Sequence, residues 1–296
     1  MTFAYFPGCS IGSTAVTYKK SLEYVLPRIG VELREIPDWN CCGATSAHVK
    51  GKWQALALPG RNLALAEQAL PGLDIAVPCS ACYSRMKYAS WSAKRDEQTR
   101  AKMEQLIGMP LKADNEVLTI LEIFNRPEVM QACRKAMVRT LEGFPVACYY
   151  GCLTSRPREV VKPDSTEMPM QMDTIVSLTG ARPVTWDFKT ECCGASHQVD
   201  APKQARPLVE RIFRNAKLNG ARAIVTSCPL CNMNLDMREE EINEVCGTGF
   251  DLPVFQFTEL LAVCMGANAG DIGLKAHFYP AYDVLNEALR KAGEAG

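Results

Sequence analysis

Leu73-Asp74-Ile75-Ala76-Val77-Pro78-Cys79-Ser80-Ala81-Cys82 is a short apolar run that leads directly into a Cys-x-x-Cys, and Ala223-Ile224-Val225-Thr226-Ser227-Cys228-Pro229-Leu230-Cys231 does the same. Each run reads as a short buried strand, Leu73–Val77 and Ala223–Thr226. A Cys-x-x-Cys at a helix start puts two thiols on one side, near partial positive charge that favours the ionised form. Upstream of each pair the order of elements is also the same. Phe3–Phe6 reads as a strand ending at Pro7-Gly8-Cys9, with Ser13 or Thr14 capping a helix that runs to about Arg28. Val31–Ile36 reads as a second strand, followed by Cys41-Cys42-Gly43-Ala44 and a helix over Trp53–Leu70. Later, Val146–Tyr149 leads to Gly151-Cys152, a helix covers Met172–Thr179, and a strand at Ala181–Trp186 precedes Cys192-Cys193-Gly194-Ala195. A helix over Lys203–Asn219 then leads back to the second quoted stretch.

Corresponding cysteines are offset by 152 − 9 = 143, 192 − 41 = 151 and 228 − 79 = 149 residues. With Cys-Cys-Gly-Ala occurring in both halves, the chain reads as a duplication. Strands alternating with helices imply an α/β fold: two pseudo-symmetric cysteine-rich domains with largely parallel sheets and flanking helices. Residues 1–142 form the first, with a helical extension predicted near Lys94–Ile107, Glu116–Phe124 and Glu128–Val138; residues 143–296 form the second. Arg156–Pro169, with three prolines, reads as an exposed loop, and the tail ends in a helix over Tyr282–Ala292.

The 296 residues balance 33 Lys and Arg against 33 Asp and Glu, which gives no reason to expect a nucleic acid or an anionic membrane surface as partner. No apolar run reaches the length of a membrane span, and the N-terminus has no signal-peptide pattern, so the expected location is the cytoplasm. Fourteen cysteines in such a chain point to metal or redox chemistry rather than to disulfide staples.

Each half supplies an isolated cysteine, an adjacent pair and a Cys-x-x-Cys, all following predicted strands, where an open α/β sheet gathers its binding loops. The sets are Cys9, Cys41, Cys42, Cys79 and Cys82, and Cys152, Cys192, Cys193, Cys228 and Cys231. Structural zinc takes four ligands, usually as two close pairs, and a regular [2Fe–2S] or cubane centre also takes four thiolates. Five suit a larger or opened iron–sulfur cluster in which some thiolates bridge irons. Zinc, buried thiols and a redox disulfide are the alternatives. Cys133, Cys148, Cys246 and Cys264 stand outside the sets and read as small buried hydrophobes. His48 and His197 follow the two Cys-Cys-Gly-Ala motifs and are the candidate proton donors; His277 reads as a packing or contact residue. Arg156 and Arg158, near Cys152, read either as attractors of an anionic substrate or as solvated loop charges.

Tyr5-Phe6-Pro7-Gly8-Cys9, Asn40-Cys41-Cys42-Gly43-Ala44, Pro78-Cys79-Ser80-Ala81-Cys82, Gly151-Cys152, Glu191-Cys192-Cys193-Gly194-Ala195, Cys228-Pro229-Leu230-Cys231 and the late segment Leu252–Leu261 resemble the CCG cysteine-rich domain family, most of all its heterodisulfide reductase B-subunit branch. The resemblance implies two non-cubane [4Fe–4S] clusters, each held by one five-cysteine set and facing the other across a cavity in which a disulfide is split. It also implies an oxidoreductase acting on sulfur groups, with a C-like iron–sulfur subunit and an A-like flavoprotein subunit as partners. The same domain serves quinone-linked enzymes, so an electron-transfer subunit feeding a quinone or flavin partner is the alternative. One departure from the pattern is Leu153, where the methanogen members tend to carry histidine. That leaves open a substrate other than the coenzyme M–coenzyme B disulfide, including a protein-bound thiol.

Overall fold

The computed structural model describes residues 1–294 apart from Thr45, Gln198, Val199 and Pro280. Among the described residues, eight strands form two four-stranded sheets. β1 (Thr2–Tyr5), β2 (Glu32–Glu35), β3 (Ile75–Val77) and β4 (Val117–Thr119) lie in the order β2-β1-β3-β4. β5 (Pro145–Tyr149), β6 (Arg182–Pro183), β7 (Ala223–Thr226) and β8 (Val254–Gln256) repeat it as β6-β5-β7-β8. Every pairing is parallel; Phe3 lies opposite Leu33, Ala4 opposite Ile75 and Val225 opposite Phe255. The α/β class and its parallel sheets therefore stand as expected.

The sequence accounts for the strand positions. Ile-Ala-Val in β3 and Ala-Ile-Val-Thr in β7 are buried at every residue, as strands covered on both faces are. β2 reads Glu-Leu-Arg-Glu and lies at an open edge, where charge discourages pairing with another chain. β6 is only two residues long, although Ala181–Trp186 was expected to be strand throughout. The Val184 N–H still donates to the Val146 carbonyl at 2.8 Å; beyond it the backbone leaves the sheet, and the fully buried Trp186 turns its indole N–H to the Cys148 carbonyl at 3.2 Å.

Two helical expectations are corrected. Lys94–Ile107 is the end of one helix (Ser80–Arg95) and the whole of another (Glu97–Ile107), separated by Asp96, whose carboxylate accepts from the Gln98 and Thr99 N–H groups. Glu116–Phe124 is β4 followed by a short helix (Ile120–Phe124), opened by a capping box between Thr119 and Glu122. The second half has the same device after β8: Gln256 and Glu259 cap the Phe257–Cys264 helix. Arg158–Val161 is a helical turn inside the expected loop, and the C-terminal helix spans Ala281–Glu294.

One apolar core lies under each sheet, and a third joins them. The Val16–Arg28 helix brings Tyr18, Leu22 and Val25 into the same core as Phe257, Leu260 and Leu261. Phe124 and Phe257 meet edge to face at 5.3 Å, and the Ser21 and Thr258 hydroxyls are 2.7 Å apart in the same buried layer. Aromatic pairs of this geometry add about 1 kcal/mol to what their burial contributes.

Candidate functional site

In parallel sheets all strands end on the same side, and the loops leaving that side hold the cysteines. Cys9 follows β1, Cys41 and Cys42 follow β2, and Cys79 and Cys82 bracket the turn from β3 into the Ser80–Arg95 helix. Cys152, Cys192 with Cys193, and Cys228 with Cys231 follow β5, β6 and β7 in the same way. The fourth strands, β4 and β8, carry the capping boxes instead of cysteines.

The glycines explain why the cysteine loops have the sequence they do. Gly43 and Gly194 have φ of +73° and +74°, a left-handed conformation that turns the chain back on itself. The turn lets the Gly43 N–H reach Cys41 Sγ at 3.4 Å and the Gly194 N–H reach Cys192 Sγ at 3.3 Å. Gly8 and Gly151 fill a second shared role, because a Cβ on them would lie 3.2 Å from Cys82 Sγ and 3.3 Å from Cys231 Sγ. The isolated cysteine loop thus packs against the Cys-x-x-Cys of its own half.

The sulfurs are crowded. Cys42 and Cys82 Sγ are 3.1 Å apart, and Cys193 and Cys231 Sγ are 3.6 Å apart. Cys42, Cys82, Cys79, Cys228, Cys231 and Cys193 are electrostatically linked in a chain that crosses from one half to the other at Cys79 and Cys228. Cys152 and Cys192 are linked likewise. Such neighbours ionise unequally. Cys42 is brought down to about 7, chiefly by Cys82, with Arg85 contributing, and Cys192 to about 6, chiefly by Cys152. Cys82 and Cys152 are pushed up, each first by that same partner.

All-sulfur donors at these separations repel as a full set of thiolates unless a polycation neutralises them, which is what an iron–sulfur cluster does. The donor chemistry therefore fits such a group. No three ligating side chains among the described residues are arranged around a single metal-ion point.

Between the halves lies a cavity of about 320 Å³. Cys152, Cys192, Cys193, Cys228 and Cys231 all line it, whereas the first half contributes His48, Ser80, Ala81 and Arg85 to its wall. Cys9 instead lines a groove of about 990 Å³ beside β2, with Tyr5, Leu22, Leu33 and Trp39. His48 and His197 both reach the cavity and are exposed; His197 Nδ1 lies 3.6 Å from an Asp200 carboxylate oxygen. Leu153 gives the cavity an apolar wall.

Arg156 is exposed and paired with Glu167 at 2.9 Å, and neither it nor Arg158 is among the described residues of the cavity wall. Cys133, Cys148 and Cys264 are buried, and burial pushes the Cys133 and Cys264 thiols up to about 12, as expected of packed thiols. Cys246 is exposed at the end of its helix, contrary to expectation. His277 is buried between Asp236 (3.2 Å) and Glu259 (3.0 Å).

Two features escaped the sequence reading. Arg85 carries no motif beyond its position three residues after Cys82. Lys189 is 1% exposed and pairs with Asp173 at 2.7 Å, while Asp173 also accepts from the Tyr150 hydroxyl at 2.6 Å. The Lys189 carbonyl accepts from the N–H groups of Tyr150 and Gly151, so this buried pair fixes the approach to Cys152.

Duplicated parallel sheets whose thiol-bearing loops converge on one cavity define a double cysteine-ligand domain. The profile of the cysteine-rich domain family CCG matches residues 3–87 and 146–236, and the chain belongs to that family. It is 30% identical to the 8-methylmenaquinol:fumarate reductase membrane anchor subunit of Wolinella succinogenes, covering 92% of this chain and 95% of that one. It is 29% identical to the B subunit of the ferredoxin/F420H2-dependent CoB-CoM heterodisulfide reductase of Methanosarcina acetivorans, over 91% of each chain. A crystal structure of a hypothetical protein from Helicobacter pylori shares the fold, with a TM-score of 0.70 at 13% identity over 94% of this chain and 52% of that one, so the chain spans about half of it. Family and relatives together support an iron–sulfur, oxidoreductase-type role.

Proposed function

We propose that this chain is the iron–sulfur catalytic subunit of a heterodisulfide reductase-like complex, reducing a disulfide, or oxidising thiols in the reverse direction. The observation that carries this reading is the five-cysteine set repeated at the strand ends of both sheets, with the two sets in contact beside one cavity. Cys9, Cys41, Cys42, Cys79 and Cys82 would hold one non-cubane [4Fe–4S] cluster, and Cys152, Cys192, Cys193, Cys228 and Cys231 the other. Such clusters supply single electrons and soft iron sites for sulfur. The overall change is RSSR + 2e⁻ + 2H⁺ → 2RSH.

The chain's own residues shape where this happens. The cavity, with Leu153 and Leu230 on its wall, would give the disulfide an apolar face to rest against. His48 and His197 stand on that wall, where an imidazole can hand a proton to a departing thiolate. A C-like iron–sulfur subunit and an A-like flavoprotein subunit would deliver the electrons, in the cytoplasm; among the described residues no helix is long and apolar enough to cross a membrane.

A second reading, favoured by the likeness to the Wolinella fumarate reductase subunit, is an electron-transfer subunit serving a quinone or flavin partner. One experiment separates the two. Anaerobically purified protein should contain about eight irons and similar sulfide, from two clusters of four. Cys192→Ser with Cys193→Ser should remove one cluster, retain the other, and abolish nearly all viologen-driven disulfide reduction. Near-normal turnover in that variant would refute catalysis between two clusters, and zinc with negligible sulfide would refute both readings.

A further inference from the structure

Arg85 lies one helical turn beyond Cys82 and lines the cavity between the halves. Its Nε is buried and has no hydrogen-bond partner among the described residues. Among the described residues of the wall it is the sole Lys or Arg, and the sole carboxylate there, Asp200, lies beside His197. The corresponding position of the second half, three residues after Cys231, is Asn234. Its amide donates to the Cys193 carbonyl at 2.8 Å, and it is not among the described residues of the cavity wall. The cavity thus carries a fixed positive charge on one side.

A half-buried guanidinium whose Nε is out of water and unpartnered favours a nearby anion. Cys42, on the protein side, supplies part of that balance. Arginine nevertheless presents five N–H donors in a planar fork, more than one sulfur can use, and the fork matches a carboxylate, sulfonate or phosphate. Leu153 and Leu230 meanwhile give the cavity an apolar wall suited to the uncharged middle of a ligand.

We propose that Arg85 is the anion-recognition residue of this cavity, taking an acidic group at one end of a disulfide or thiol substrate. An unsymmetrical substrate would then enter in one orientation, with its acidic end toward the first half. This rests on the disulfide reading above, and the test keeps the two apart.

Iron-loaded protein is assayed with 3,3′-dithiodipropionate, 2-hydroxyethyl disulfide and cystamine, which are anionic, neutral and cationic. Binding of the non-reducible thioethers 3,3′-thiodipropionate and thiodiglycol is measured by calorimetry. Wild type should prefer the dicarboxylate in both assays. Arg85→Gln should raise its KM and its thioether's Kd about tenfold or more, leave the neutral compounds unchanged, and be partly rescued by Arg85→Lys. If wild type reduces none of the disulfides yet binds thiodipropionate through Arg85, the anion site stands and the disulfide reading falls. Equal wild-type affinity for both thioethers would overturn the proposal. So would an Arg85→Gln protein that loses iron or changes reduction potential while its preference for the dicarboxylate stays intact, because Arg85 would then only balance thiolate charge.

Discussion

The two halves keep the same cysteines and the same loop glycines, yet they surround them differently. In the first half the adjacent pair is held from behind by amides: Asn40 N–H donates to Asn62 Oδ1 at 2.9 Å, and Asn62 donates back to the Asn40 carbonyl at 2.8 Å. In the second half Glu191 stands at the Asn40 position, and its carbonyl accepts from the Tyr149 hydroxyl at 2.6 Å. Pro7 precedes Gly8-Cys9, whereas Tyr150 precedes Gly151-Cys152 and is tied to a buried ion pair. Cys9 borders an outer groove, and the whole second set borders the inner cavity. What the duplication preserved is what sulfur geometry requires: a left-handed turn after the pair and a Cβ-free approach to the Cys-x-x-Cys. The supports behind that geometry were free to diverge, so the two sites should fail in different ways when those supports are removed.

The largest difference should come from Lys189. Lys189→Met leaves Asp173 charged and buried without its ion-pair partner, a change that typically costs about 4 kcal/mol. Denaturant titration should show that loss, and iron loading should fall first at the second set, because the Lys189 carbonyl and Tyr150 set the course of the chain into Cys152. Equal loss of iron from both cysteine sets would mean that the halves fold as one unit and that the local support is immaterial.

A smaller effect is expected at the capping carboxylates. Glu122 and Glu259 occupy matching places after β4 and β8, but only Glu259 has His277 against it among the described residues. Burial opposes the charge on His277, but Glu259 and Asp236 outweigh that and hold it up to about 10. A raised imidazole contributes its full stability below its ordinary value of 6.5 and loses it as pH rises through about 10. His277→Gln should therefore cost about 3 kcal/mol at pH 6, and the deficit should shrink as the pH rises from 6.5 and be gone by about 10. A deficit unchanged across that range would show that the residue acts through packing alone.

The features legible in the sequence were those that recur or follow a period. The buried runs of β3 and β7, the amphipathic helices and the doubled cysteine spacing located the sheets and the converging loops. The β4 strand was missed because three residues give too short an alternation, although Thr119-x-x-Glu122 marked the true helix start. The sequence pattern makes β6 longer than it is because Trp186 is buried by its own indole contact and not by sheet pairing. Arg85 and Lys189 carry no local pattern. Each is defined by what tertiary packing brings beside it, a cavity wall for one and Asp173 for the other. Nearness to Cys152 in the chain leaves Arg156 open as a substrate contact or a solvated loop charge, and its pairing with Glu167 at the surface decides for the second.

The smallest expected difference concerns the glycines, where the halves look most alike. Alanine at either position must adopt a positive φ, which costs about 1 to 2 kcal/mol in both. The surroundings then separate them. A Cβ at residue 43 would lie 2.6 Å from Ala47 Cβ and 2.8 Å from Leu58 Cδ1, while one at residue 194 would meet Ala205 Cβ and Leu208 Cδ1 at 3.1 Å. The leucine tip can swing aside, but the Ala47 methyl is fixed to the backbone of the helical turn Ala47–Lys50, so the first half must move main chain. Gly43→Ala should consequently exceed Gly194→Ala by about 1 kcal/mol of overpacking strain. Thermal unfolding of the two variants side by side measures that difference, and the iron retained by each reports whether the strain reaches the sulfurs through Cys41 and Cys192. A larger loss from Gly194→Ala would mean that the Ala205 helix, not the Ala47 turn, is the stiffer wall, and that the second half is the less forgiving copy even where the motif is identical.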